Sequence, residues 1–152
     1  MTEYAVIQAV AANGDEMAAN MREADRDEVW AAAHVTPKQA VRHSLLGSRD
    51  SQAGLVDGRT VCLFGVGSST ALGYGVPWML ATDELERHQV AFLRRCRGAV
   101  EEMRRDYVML RNWVDARNEK AIKWLGWLGF EVHDPEPFGI DQLPFHMFDM
   151  RN

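Results

Sequence analysis

Arg22, Asp25 and Glu28 fall three residues apart, a spacing that sets side chains along one side of a helix. If residues 15–33 form one helix, Asp25 and Glu28 lie in the stripe made by Met17, Met21, Ala24 and Ala32. Carboxylates on a buried face are costly unless they are paired or functional. Asp25 and Glu28 are therefore candidate acid–base groups. The alternative is an internal ion pair with Arg22 or another arginine, and a break near Asn20 would take them off the stripe. A second charged run, Arg94-Arg95-Cys96-Arg97, has the composition to touch a phosphate, but nearby acids balance it and a solvated helix face accounts for it.

Metal chemistry has no pattern to support it. His34, His43, His88, His133 and His146 show no paired-ligand spacing, and Cys62 and Cys96 form neither a zinc knuckle nor a disulfide framework. With 152 residues, 47% of them hydrophobic and 26% charged, the chain is expected to be one globular domain, 1–152. The formal charge of −5 argues against a nucleic-acid footprint. No apolar run reaches the roughly 20 residues a membrane-spanning helix needs, and Met1-Thr2-Glu3 opens without a basic leader, so a reducing cytoplasm is expected.

These residues need elements to hold them. YAVIQAVA at 4–11 reads as a strand ended by the turn pair Asn13-Gly14, and Asp15 is a plausible cap for the helix that follows. Thr36-Pro37 opens a second helix to about Leu46, closed by Gly47. Strands at 52–56 and 59–67 flank the turn Asp57-Gly58. Tyr74–Ala81 is a central strand in which Pro77 cannot donate a ladder bond, so pairing should splay there. Thr82 or Asp83 caps a long helix to Tyr107, with Leu85, Phe92, Cys96, Val100 and Met103 on its apolar stripe. A strand at 109–116, a helix from Asn118 to Leu128, a strand at 130–133, a Pro-rich loop at 134–142 and a strand at 143–150 complete the chain. The mixed order predicts an α+β fold with a partly parallel centre.

That order, with Asn118-Glu119-Lys120-Ala121 and then Gly129-Phe130 at the expected distance, resembles the GNAT acetyltransferase superfamily. The resemblance implies a mixed sheet of six to seven strands with about four helices. It also implies an acetyl-CoA site if the protein is active, with Trp78, Leu80, Thr82 and Asn118 as cofactor-binding candidates, and an acceptor site at Arg22, Asp25 and Glu28. Asn118 would cap a helix whose free amides face the ligand. In such an enzyme an amine attacks the thioester, with Asp25, Glu28 or a water as base. The runs Met21–Glu28 and Trp78–Leu85 more narrowly resemble GNAT-like internal virion proteins of short-tailed bacteriophages.

Two departures bear on activity. The family's glycine-rich pyrophosphate loop is replaced by Thr82-Asp83-Glu84-Leu85-Glu86, whose three carboxylates suit a helix dipole and repel a diphosphate. Leu125 stands where many members carry a general-acid tyrosine. The expectation is a virion-associated or assembly protein with a degenerate acetyl-CoA site; the alternative is an N-acetyltransferase acting on a small-molecule or host-protein amine. Trp78 lies on the ligand-cleft strand, although a core role competes, and Trp113 is expected in the core. Trp127 sits opposite the apolar face of its helix, beside Lys120 and Lys123, as a candidate interface for a phage or host protein partner. The competing reading is that the 135–139 loop covers it.

Overall fold

The computed structural model covers residues 1–152. One seven-stranded sheet runs in the order β1-β2-β3-β4-β5-β7-β6. Its strands are β1 (Tyr4–Gln8), β2 (Ser48–Val56), β3 (Arg59–Ser68), β4 (Tyr74–Ala81), β5 (Met109–Asp115), β6 (Glu131–Phe138) and β7 (Leu143–Arg151). Five α-helices accompany it: α1 (Ala11–Asn20), α2 (Glu23–Ala33), α3 (Pro37–Leu46), α4 (Gln89–Asp106) and α5 (Glu119–Leu128). Every strand pair is antiparallel except β4 with β5. The α+β architecture is the expected one, with one more helix because the first is broken in two.

Local chemistry explains most boundaries. Thr36 accepts a hydrogen bond from the Gln39 amide at 3.3 Å while Gln39 Oε1 accepts from the Thr36 amide, a reciprocal cap that starts α3. Asp57 and Gly58 both adopt positive φ, 49° and 82°, as the two-residue β2–β3 hairpin requires. Gly129 ends α5 at φ 102°, where a side chain would be strained.

Four expectations are corrected. Asn13-Gly14 is not a turn: Val10, not Asp15, occupies the cap position of α1, and the Asn13 side chain reaches back to the Val10 amide at 2.9 Å. The helix expected over 15–33 breaks at Met21 and Arg22, which extend to pair with Thr82. Residues 83–88 form a 3₁₀ turn before α4, and the Thr82 side chain does not cap it. The Pro-rich stretch at 134–138 is strand, because β6 lies at the sheet edge, where a proline's missing donor costs nothing.

Two layers cover the sheet. On one face Met17, Met21 and Val41 from the N-terminal helices pack against Ala53, Leu63 and Leu80. On the other, Leu85, Phe92, Leu93 and Cys96 meet Val56, Cys62, Phe64 and Ala81. A third cluster, Val100, Leu110, Val114, Phe130 and Phe148, extends that layer toward α5. Burying a side chain such as Phe92 contributes roughly 1.5–3 kcal/mol. Cys62 and Cys96 are free thiols in this core, and burial raises the pKa of both, that of Cys96 to about 11.

Candidate functional site in the opening between the two central parallel strands

β4 and β5 pair only at Tyr74–Met109 and Gly75–Leu110 before they separate. Pro77 has no amide hydrogen to continue the ladder. Its carbonyl instead accepts a 2.8 Å hydrogen bond from Asn112 Nδ2, a side-chain bridge across the start of the gap. The sequence pointed to splaying at Pro77 but gave no sign of Asn112. Beyond this bridge lies a cavity of about 280 Å³, lined chiefly by apolar side chains, with Arg22, Asp25, Glu28 and Asn118 among its polar wall.

At the far end of β4 the N-terminal layer closes onto the strand. The Ala81 carbonyl accepts from the Arg22 amide at 2.8 Å, and the Ala81 amide donates to Asp25 Oδ2 at 2.9 Å. Both main-chain polar groups of Ala81 are thus bonded within the chain. The Arg22 guanidinium, 4% exposed as a residue, pairs with Asp25 Oδ1 at 3.1 Å and donates to Asn118 Oδ1 at 3.3 Å. It also lies 5.0 Å from the Trp124 ring centroid and 3.7 Å from Glu86 Oε1. A buried arginine held by a carboxylate, an amide and an aromatic face has its charge and donors largely satisfied.

Asp25 and Asn118 are equally engaged. Asn118 stands at the cap position of α5 but makes no capping hydrogen bond, contrary to expectation. Its Nδ2 donates to Asp25 Oδ1 at 3.1 Å and more weakly to Glu28 Oε1 at 3.4 Å. Burial raises the Asp25 pKa, opposed by the Arg22 charge and the Ala81 amide. The helix break therefore leaves Asp25 buried, and its pairing with Arg22 is what makes that burial tolerable.

Glu28 differs. Its Oε1 accepts from the Asp115 amide at 2.8 Å, yet no salt bridge reaches it and Oε2 bonds to nothing in the chain. Burial, and then the Asp25 charge, push its pKa up to about 8. The Asp115 carboxylate beside it is held by Arg117 at 2.7 Å.

Trp78 and Leu80 line the cavity, and Trp78 Nε1 donates to Ser48 Oγ at 2.7 Å. Trp113 is half-buried on the cavity wall and not in the core as expected, stacked on Phe138 with centroids 4.3 Å apart. Thr82 lies outside the cavity wall, its hydroxyl 3.4 Å from the Val61 carbonyl. Leu125 lines the cavity and contributes no proton donor. At the acid-rich junction Glu84 pairs with Arg59 at 2.6 Å, and Glu86 pairs with Lys120. Trp127 is 42% exposed with the Arg97 guanidinium 3.8 Å above its ring, on a face away from the cleft residues.

A mixed sheet that opens between its parallel central strands, beneath broken N-terminal helices, is the architecture of the GNAT acetyltransferase fold. Solved structures with that fold superimpose over almost the whole chain. A GNAT-family acetyltransferase from Streptococcus pneumoniae matches at TM-score 0.67 and 10% identity, covering 99% of this chain and all of the other. A putative acetyltransferase from Salmonella typhimurium, solved with acetyl-CoA, matches at 0.67 and 13%, covering 97% of this chain and 93% of that one. The ribosomal-protein-S18-alanine N-acetyltransferase from Escherichia coli matches at 0.66 and 13%, covering 98% and 94%. No protein-family model and no curated protein matches the sequence. At these identities the likeness is one of fold.

Proposed function

We propose that this chain is a GNAT-fold protein that works by binding and not by acetyl transfer, and that its setting is a bacteriophage particle or the assembly of one. The observation that carries the first part is Arg22. In the resemblance, a cofactor's pantetheine arm would thread between β4 and β5, and its diphosphate would rest where the following helix starts. Here the Arg22 backbone and the Asp25 carboxylate take both peptide groups of Ala81. The guanidinium fills the space between Asn118, Trp124 and Glu86. At the helix start Glu84 and Glu86 already hold Arg59, Lys120 and Arg22, Asp83 adds a carboxylate with no salt bridge, and no glycine there lets backbone amides crowd a diphosphate. On this reading the junction lacks the glycine cradle that a coenzyme A diphosphate needs.

Support for the phage setting comes from the two runs that resemble internal virion proteins. Met21–Glu28 and Trp78–Leu85 are adjacent in space, joined by the Met21–Thr82 bridge and the Asp25–Ala81 hydrogen bond.

A second reading, an N-acetyltransferase for a small-molecule or host-protein amine, is favoured by the retained strand opening and by Glu28, whose pKa near 8 suits a base. A melting experiment with acetyl-CoA separates the two. A ligand at a hundred times its dissociation constant stabilises a fold by about 2.7 kcal/mol. An unchanged melting temperature at millimolar acetyl-CoA is expected, and a clear rise would overturn the binding-only reading. Mass spectrometry of purified particles tests the setting, since absence of the protein would remove it.

A further inference from the structure

The cavity walls not used by Arg22 are strongly aromatic. Trp78 is fixed by its hydrogen bond to Ser48, Trp113 stacks on Phe138 at an interplanar angle of 14°, and Phe138 tilts against Phe145 at 5.2 Å. All four rings line the same cavity, whose volume of about 280 Å³ is close to the lower end for small-ligand pockets, roughly 300 Å³. The carboxyl of Glu28 lines it too, with Oε1 held by the Asp115 amide and Oε2 unbonded.

The charges leave one acid without a partner. Arg22, the cation on this wall, is already balanced by Asp25 and Glu86, and no arginine, lysine or histidine forms a salt bridge with Glu28. Glu28 is half-buried, and a partly desolvated carboxylate without a counter-ion gains from a cation brought by a ligand. The aromatic side chains that line the same cavity attract the same kind of charge through any face left open to it.

The hydrogen-bonding capacity narrows the class further. A primary ammonium carries three donors that need acceptors when buried. Asn112 and Asn118 already accept from the Trp113 amide and Arg22, and both Asp25 oxygens are engaged. The free side-chain acceptors on this wall are then Glu28 Oε2 and the Ser44 hydroxyl, and most of the remaining lining is apolar. An ammonium whose substituents are methyl groups needs no acceptors, and its methyls suit apolar walls.

We propose that this aromatic cavity, with Glu28 at its polar wall, is a binding site for a small methylated ammonium compound of the quaternary type. Such a ligand has no N–H to acylate, so it occupies the same cavity as a bound ligand and not as an acyl acceptor. The inference stands on the cavity and is independent of whether acetyl-CoA binds.

Titration calorimetry and tryptophan fluorescence with choline test it, alongside 3,3-dimethylbutan-1-ol, a neutral compound of the same shape. Choline is expected to bind, with the neutral isostere roughly tenfold weaker. Glu28→Gln should weaken choline to the level of the isostere while the protein still melts cooperatively, and Phe138→Leu should weaken it through the aromatic wall instead. Binding should strengthen as pH rises toward about 8, where Glu28 ionises, and this dependence should vanish in Glu28→Gln. The other charged groups near Glu28 are Arg22 and Asp25 at the start of α2 and Asp115 at the end of β5. Equal binding of the two compounds, unchanged affinity in Glu28→Gln, or no response to choline up to roughly 10 mM would overturn the proposal.

Discussion

Where the cleft meets α5, Arg22, Asp25 and Asn118 satisfy one another almost completely, whereas on the wall shared with Trp78, Trp113 and Phe138 the carboxyl of Glu28 keeps one oxygen free. Both regions set polar groups beside aromatic neighbours, with Asp25 buried and Glu28 half-buried one helical turn away. Closure of the hydrogen-bond network is what divides them. A closed network holds elements together and has no valence left for a ligand. An open one retains capacity to bind.

Variants that open the closed region should have the largest effects. Arg22→Met removes the partner of a buried carboxylate and should cost about 3–5 kcal/mol in chemical denaturation. A loss under about 1 kcal/mol would mean that the cluster is not the fastening described here. Asn118→Leu strips donors from Asp25 and Glu28 and an acceptor from Arg22, and should cost about 1–3 kcal/mol.

The open region predicts a pH effect of opposite sign to the usual acid destabilisation. Glu28 has its pKa raised to about 8 in the fold, so between its ordinary value of 4.5 and about 8 the folded state holds more protons than the unfolded one. Its contribution is fully present below pH 4.5 and is lost as pH rises through about 8. Relative to wild type, Glu28→Gln should gain stability across that window, by no more than about 1.4 kcal/mol per pH unit. Parallel stability curves for the two proteins would place Glu28 in the satisfied class. Trp127→Ala, away from the cleft, should change stability by at most about 1 kcal/mol. If it abolished capture of a partner protein without lowering the melting temperature, the functional surface would lie on α5 and not in the cleft.

Most of the architecture could be read from the residues. Thr36-Pro37, Asp57-Gly58 and Gly129-Phe130 mark boundaries through local backbone chemistry, and the structure has boundaries at each. What could not be read was decided by long-range contacts. Neither Pro nor Gly marks the break at Met21 and Arg22; it exists because those residues pair with Thr82 and Ala81, sixty positions away in order of magnitude. Asn13-Gly14 looks like a turn until the Asn13 side chain is seen fastening the start of α1. Asp25 and Glu28 were conspicuous as acids on an apolar stripe, but only the fold separates the paired one from the unpaired one. Asn112, Trp124 and Phe138 carried no signal, since their importance depends on which strands part.

The prolines of β6 have a consequence at the rim of the sheet. Pro135 and Pro137, with Glu131, Asp134 and Glu136 around them, deprive that outer edge of donors and crowd it with negative charge. Main-chain pairing of a second molecule is therefore disfavoured at β6, and β1 is the border of the sheet that carries no proline.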